Sequence, residues 1–313
     1  MAASGKGRGK SFFHELKKSR ILLLMLLPAV VTIFIFAYLP MGGMILAFKN
    51  FNYKDGIWGS PWTEGLFDNF KFFFLSGKAF SVTANTFLYN LSFIAVNTFL
   101  AVLFAIILSE AGNKHFKKLT QSAIFLPYFV SWVIVGTIAY NLLNYENGVI
   151  NGILGMLGME PVNIYANGPA WRIIIVIFNA WKSVGYSMVV YLATITGIDK
   201  TYYEAAGIDG ATVWQQMRYV TLPLMKTVII MMFIMAVGRI FYSDFGLFYQ
   251  VPRDSNSLYN VSYTLDVFVF KQLKSSTTGM ASAAAFVQSV AGCITILTAN
   301  AVVRKVDRDS AMI

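Results

Sequence analysis

Apolar residues dominate this chain in six long runs, which short polar segments separate. Each run has about 20 residues or more, the length that an α-helix needs to cross a hydrocarbon core of ~30 Å. The predicted spans are residues 21–48, 83–111, 117–143, 170–197, 224–249 and 280–303. The first run is too long for the apolar part of a signal peptide, so we take it as an uncleaved span. The pattern predicts an all-α polytopic membrane protein with six transmembrane helices.

The composition agrees with a membrane protein. The chain has 313 residues, of which 57% are hydrophobic and 13% are charged, and its mean hydropathy is +0.60. Soluble domains carry about 25% charged residues. The single cysteine and the two histidines form no cluster that would predict a metal site or a catalytic centre. We therefore expect a protein without enzymatic activity, metal or cofactor of its own.

The distribution of the basic residues predicts the orientation in the membrane. The net charge is +10, and residues 1–19 form a basic tail. With the N-terminus inside, fifteen lysine and arginine residues face the cytoplasm and eight face outward. Because cytoplasmic segments carry the excess of basic residues, both termini are predicted to be cytoplasmic. The positive net charge thus reflects the orientation of the chain in the membrane, and no binding to nucleic acid is expected.

The polar segment 199–223 lies between the fourth and fifth spans, on the predicted cytoplasmic side. From residue 204 it reads EAAGIDGATVWQQMRYVTLP. Glu204 is predicted to open a helix, Gly210 to form a turn, and Pro223 to begin the next helix. An apolar stripe containing Trp214 is predicted to pack against the membrane face of the protein. The segment is therefore expected to form a helix, a turn and a second helix that continues into the span.

The spacing of this segment resembles the EAA loop of binding-protein-dependent ABC import permeases. The residues that carry the resemblance are Glu204, Ala205, Ala206, Asp209, Gly210, Ala211, Leu222 and Pro223. The stretches 125–143 and 181–211 are similar to the sugar branch of that family, in particular to its polysaccharide and oligosaccharide permeases. The resemblance covers roughly residues 15–310, with residues 20–310 as the permease domain.

The resemblance implies a fold of the type I importer class and a set of partners in the bacterial inner membrane. It implies a second, different permease subunit, an extracytoplasmic sugar-binding protein and two ATP-binding subunits that hold ATP and magnesium. The EAA loop would dock on the ATPase subunits and convert their closure into opening toward the outside. The chain contains no Walker A pattern, which agrees with ATP hydrolysis on a separate polypeptide.

Polar residues within the spans are candidates for a sugar pathway, because such residues usually face a bundle interior or a wet cavity. The candidates in the fourth span are Asn179, Trp181, Lys182 and Tyr186, and those in the fifth are Arg239, Tyr242, Ser243 and Asp244. Helical spacing predicts that Asn179, Lys182 and Tyr186 share one face, and that Arg239, Tyr242 and Ser243 form a similar stripe. Asn90 and Asn97 share one face of the second span. Two cations against one anion favour an acidic sugar.

Two interpretations of these residues remain open. In one, Lys182 and Arg239 pair with Asp244 or with backbone carbonyls, and they hold the spans together or form a gate. In the other, they line the pathway and bind sugar hydroxyl or acid groups. A competing functional class is an ion-gradient-driven secondary transporter, for which Asp244 is the candidate coupling carboxylate. The sequence names neither the sugar nor the partner subunits.

Overall fold

The computed structural model describes residues 19–75 and 77–306. The predicted tail, residues 1–19, lies outside the described residues except for Ser19, and so do residues 307–310 of the predicted permease domain. Within the described part the chain is helical, with one isolated bridge between Lys49 and Trp62. The helices are α1 (Arg20–Phe48), α2 (Gly56–Gly59), α3 (Asp68–Leu75), α4 (Lys78–Glu110), α5 (Lys114–Phe129), α6 (Trp132–Leu143), α7 (Val149–Met156), α8 (Gly168–Thr196), α9 (Lys200–Ile208), α10 (Val213–Val237), α11 (Phe245–Gln250), α12 (Tyr259–Ser262), α13 (Leu265–Lys274) and α14 (Thr278–Val306).

Five of these helices are long and apolar enough to cross a membrane, namely α1, α4, α8, α10 and α14. A sixth span results if α5 and α6 are counted as one. These two helices meet at an angle of 100°. The structure therefore agrees with an all-helical membrane protein of five or six spans.

The predicted run 117–143 is not a continuous helix. Val130 and Ser131 are extended, with ψ values of 129° and 149°. The Ser131 side chain then accepts a hydrogen bond from the amide of Ile134 and caps α6. Pro127 lies in the last turn of α5, where it supplies no amide proton to the helix. The proline and the serine cap together explain why the helix stops and restarts here.

The predicted run 224–249 is also interrupted, because α10 ends at Val237 and the chain turns before α11 begins at Phe245. At its other end α10 begins earlier than expected, at Val213. Pro223 therefore lies inside the helix and does not begin it. The five residues Met217–Thr221 form a wide π-helical turn just before it. This altered hydrogen-bond pattern accommodates the proline, which lacks an amide proton.

The core is centred on the long helices α4 and α8. One buried cluster joins them to α6, α11 and α13 around Trp171, Phe248 and Phe268. A second cluster joins them to α10 around Tyr191 and Met225. The helix α5 crosses α8 very closely, since a Cβ at Gly185 would lie 2.2 Å from a backbone oxygen of α5. Packing against α8 therefore positions both interrupted runs, 117–143 and 224–249.

The first helix stands largely apart from this core. Its first 14 residues, Arg20–Ile33, contain no buried side chain. Its last turns approach α14, and there Leu46 and Ala47 are buried. Most of the apolar surface of α1 is thus uncovered in the isolated chain.

Candidate functional site

A cavity of about 570 Å³ lies between α4, α8, α10 and the turn that follows α10. It brings together five predicted pathway residues, namely Asn179, Arg239, Tyr242, Ser243 and Asp244, with Asn90 and Asn97. The remaining lining residues include Thr98, Ser187 and Tyr191. Hydroxyls, amides, one guanidinium and the Asp244 carboxylate thus line a chamber that is large enough for sugar rings. This arrangement can hydrogen-bond a polyhydroxylated ligand.

The turn 238–244 carries four of these residues and is not a helix. The expectation that Arg239, Tyr242 and Ser243 form a helical stripe is therefore wrong. Asn90 on α4 holds the turn, because its side-chain amide donates to the carbonyls of Ile240 and Tyr242, each at 2.9 Å. Non-helical backbone at membrane depth is stable only where its amide and carbonyl groups have hydrogen-bond partners, which Asn90 supplies to two carbonyls of this turn.

Two further residues that the sequence analysis did not single out support the same turn. The carboxylate of Asp266 accepts bonds from the backbone amide and the hydroxyl of Ser243, at 2.6 and 2.8 Å. The side-chain amide of Gln288 donates to Phe241 O at 2.7 Å and to Asp266 at 3.1 Å. Gln288 is a polar residue in the last apolar run, and that signal alone could have identified it.

Arg239 is the unpaired charge of the cavity. Its side chain is exposed to the cavity, and its guanidinium has no hydrogen-bond or ion-pair partner among the described residues. On α8, Asn179 is buried and accepts a bond from Asn97 at 2.9 Å. The cavity therefore presents a free cationic group beside a fixed pair of amides.

Asp244 pairs with neither predicted cation in the described structure. One carboxylate oxygen accepts a bond from the indole nitrogen of Trp132 at 2.6 Å. The other accepts from the amides of Gly246 and Leu247 and so caps α11. Both oxygens are engaged in joining α6 to α11. This is the environment of a structural carboxylate, which differs from that of an ion-coupling group.

Lys182 points away from the cavity, toward the break between α5 and α6. Its ammonium donates to the carbonyl oxygens of Tyr128 at 2.8 Å, Pro127 at 3.4 Å and Val130. It also lies 5.2 Å from the ring centroid of Trp132. Pairing with backbone carbonyls was one of the alternatives for this residue, and the structure has that arrangement.

The other two candidates on α8 also lie outside the cavity. Tyr186 stacks on Tyr128, with 5.2 Å between the ring centroids. Trp181 lines an apolar groove of about 540 Å³ between α4, α5 and α8. Of the three residues that helical spacing groups on one face, only Asn179 therefore lines the cavity, while Lys182 and Tyr186 contact α5. A residue on α8 meets either the cavity or α5, depending on where the neighbouring helices cross it.

The segment 199–223 forms α9, a tight turn and the start of α10. The helix α9 begins at Lys200 behind the cap of Asp199, so Glu204 lies in its second turn and does not open it. The Thr201 amide and hydroxyl hold the pKa of the Asp199 carboxyl below its ordinary value. Gly210 adopts the predicted left-handed geometry, with φ +77°. Trp214 is 78% exposed and does not pack against the protein as predicted.

One contact ties the two helices of this segment together. The hydroxyls of Tyr203 on α9 and Thr221 on α10 lie 3.0 Å apart. Thr221 is buried within the π-helical turn. The contact connects α9 through a side chain to the N-terminal part of α10. The sequence pattern did not predict this connection.

The chain has extensive similarity to known transport proteins, although no protein-family model matches it. It is 31% identical over 301 residues to the polygalacturonan/rhamnogalacturonan transport system permease protein YteP of Bacillus subtilis (strain 168). That alignment covers 96% of this chain and 92% of YteP. The crystal structure of a bacterial ABC transporter involved in the import of the acidic polysaccharide alginate contains a similar chain. Its TM-score is 0.85 at 28% identity, and the match covers 95% of this chain and 99% of that one. A second structure, of the alginate transporter with an alginate pentasaccharide-bound periplasmic protein, matches with a TM-score of 0.83 at 27% identity, covering 94% and 97%.

Proposed function

Because this chain belongs to the permease subunits of binding-protein-dependent ABC sugar importers, we propose that it forms one half of a channel for acidic oligosaccharides. It is a multi-pass protein of the bacterial inner membrane and the non-catalytic component of its transporter. The chain carries no cofactor, and ATP is bound by partner ATPase subunits.

The unpaired guanidinium of Arg239 is the observation that supports an acidic substrate. The Asp244 carboxylate also lines this cavity, but it is bound by Trp132 and by the first amides of α11 and does not pair with Arg239. The guanidinium therefore depends on a ligand or on water for compensation. Guanidinium groups bind carboxylates through two parallel hydrogen bonds. The amides of Asn90 and Asn179 and the hydroxyls of Tyr242 and Ser243 surround the same space. We infer that Arg239 receives a sugar carboxylate while these groups orient the ring hydroxyls.

We also propose that residues 199–223 transmit movement of the ATPase subunits to the cavity. Ile208 is 87% exposed and Trp214 is 78% exposed, although both side chains are apolar. Exposed apolar groups beside a fixed turn favour contact with a partner protein. The helix α10 runs from this surface directly to the turn that bears Arg239. Displacement of α9 would therefore shift one wall of the cavity.

The uncovered surface of α1 supports pairing with a second permease. Its first 14 residues bury no side chain against this chain. A transmembrane helix packs through side-chain contacts with other helices. We propose that the second, different permease supplies these contacts, with both termini of the present chain in the cytoplasm and six spans in total. Two ATPase subunits and an extracytoplasmic binding protein complete the complex.

Uptake by proteoliposomes tests this function. The chain, its partner permease, the ATPases and the binding protein would be reconstituted and supplied with labelled trigalacturonate. We expect uptake that requires both internal ATP and the loaded binding protein. Uptake that persists without ATP and stops when an ionophore dissipates the ion gradients would identify a secondary transporter instead.

The variant Arg239→Gln tests the acidic substrate. We expect uptake of trigalacturonate to fall about tenfold, the factor that corresponds to ~1.4 kcal/mol of lost interaction. Arg239→Lys, which keeps the charge, should retain more uptake. Lys118→Gln removes an exposed cation from α5 and serves as the matched control. Equal uptake by the Arg239→Gln and control variants would contradict the role of Arg239.

A further inference from the structure

A second polar cavity lies near the start of α8, at the end of that helix opposite the segment 199–223. Its volume is about 370 Å³, and it lies between α6 and the loop that follows α11. A Cβ at Gly136 on α6 would come within 2.5 Å of a carbonyl oxygen of α11, so the two helices form closely packed walls. The lining residues are Val133, Gly136, Thr137, Tyr249, Gln250, Arg253 and Asp254.

The backbone of the loop is strained at this cavity. Arg253 and Asp254 have φ values of +56° and +51°. Left-handed geometry costs a residue with a Cβ about 1–2 kcal/mol, so a simple reversal of the chain would favour glycine or asparagine. Amides of both residues donate into the end of α11, to Gln250 O and Tyr249 O, each at 3.2 Å. These two bonds form a helix C-cap with a left-handed residue after the last turn, and the cap fixes the backbone that carries Arg253 at the cavity.

The guanidinium of Arg253 is held but not neutralised. It lies 4.1 Å from the ring centroid of Tyr140 on α6. Stacking on a ring occupies the face of the guanidinium and leaves its edge N–H groups available to an acceptor. Among the described residues Arg253 has no hydrogen-bond or ion-pair partner. Its charge is therefore positioned and free.

The neighbouring carboxylate does not cancel this charge. Asp254 forms an ion pair with Lys271 on α13. The Lys271 ammonium also lies 5.2 and 5.5 Å from the ring centroids of Tyr259 and Tyr263. Asp254 is thus neutralised by a lysine that the aromatic rings fix in place. The cavity keeps one net positive charge, that of Arg253.

We propose that this cavity is an outer binding site for a uronate residue, whose carboxylate Arg253 binds through its free edge. The site would hold the acidic sugar on the extracytoplasmic side before it enters the cavity of Arg239. This proposal rests on the proposed function for the substrate class and the orientation. It adds a second, separate site with its own cation, ring and hydroxyl groups.

A binding assay that does not depend on transport tests the site directly. Thr137→Cys, in a Cys293→Ser background, places a single thiol on the cavity wall of the reconstituted complex. We expect trigalacturonate to slow the labelling of this thiol by a membrane-impermeant reagent, and maltotriose to have no effect. Adding Arg253→Gln should abolish the protection. Equal labelling with and without trigalacturonate, or protection that survives Arg253→Gln, would overturn the proposal.

Transport kinetics distinguish a sugar site from a docking surface for the binding protein. Arg253→Gln should lower the maximal uptake of trigalacturonate about tenfold and leave the half-saturating concentration of loaded binding protein unchanged. Lys274→Gln is the matched control, since this cation lies on the same side over the ring of Phe270. A raised half-saturating concentration with an unchanged maximal rate would assign Arg253 to protein docking. If the wild-type complex imports no acidic sugar while Thr137→Cys is still protected, the proposed function fails and the site stands.

Discussion

Replacing Lys182 with methionine should loosen the break between α5 and α6. Methionine keeps most of the length of the side chain but removes the ammonium that donates to three carbonyl oxygens at the break. Those oxygens lie where the helix is interrupted. Without Lys182, the described structure offers the Val130 carbonyl no other donor. The variant therefore leaves backbone acceptors unsatisfied in an apolar surrounding.

The size of the effect follows from these bonds. A hydrogen bond to a charged donor contributes about 1.5–3 kcal/mol, and Lys182 donates to three carbonyl oxygens, of which that of Tyr128 lies at 2.8 Å. Removing the lysine also relieves the desolvation of its charge, which offsets part of the loss. We expect a net destabilisation of about 2–4 kcal/mol. For a chain of this size that corresponds to a decrease in Tm of roughly 5–10 °C.

Thermal stability in detergent, followed by size-exclusion chromatography of heated samples, measures this decrease. Lys182→Arg keeps a cationic donor and should recover part of the stability. Lys118→Met removes an exposed lysine from the same α5 and should leave Tm within about 1 °C. A Tm for Lys182→Met that matches the control would refute the role of Lys182 at the break.

Three further substitutions test the close packing of α8 on α5 and the proposed coupling role of residues 199–223. Gly185→Ala should destabilise the chain by more than 2 kcal/mol, because the added Cβ would meet backbone at 2.2 Å. Gly152→Ala on α7 meets open space and should be neutral or slightly stabilising in the same thermal assay. Gly210→Ala forces alanine into φ +77° at a strain of about 1–2 kcal/mol, so we expect weaker co-purification of the ATPase subunits with normal insertion of the permease. Tyr203→Phe removes the hydroxyl that lies 3.0 Å from that of Thr221 and should lower the amount of sugar imported per ATP hydrolysed. An unchanged ratio would show that this contact does not transmit movement from α9 to α10.

Local features of the sequence account for the class of the protein. Each long apolar run is contiguous, so its length alone indicates a membrane helix. The motif from Glu204 to Pro223 is contiguous too, and it was sufficient to identify the family before any packing was known. Local prediction failed where the helix boundary depended on a distant partner or on an unusual turn. The run 224–249 shows both causes, since Asn90, 150 positions from Ile240, satisfies the turn after α10, and the π-helical turn extends α10 back to Val213.

The sequence by itself determined a polytopic helical permease and located the segment 199–223 that we propose for coupling, because both depend on runs of neighbouring residues. Only the tertiary structure decided what the polar residues inside the membrane do. Helical spacing placed Asn179 and Lys182 on one face, yet the crossing of α5 over α8 sends Lys182 to a broken backbone and leaves Asn179 in the cavity. The tertiary structure likewise places Asp244 in a hydrogen bond with Trp132 and leaves Arg239 unpaired among the described residues. The periodicity of one helix gives its faces, and the neighbours that each face meets come from distant parts of the chain.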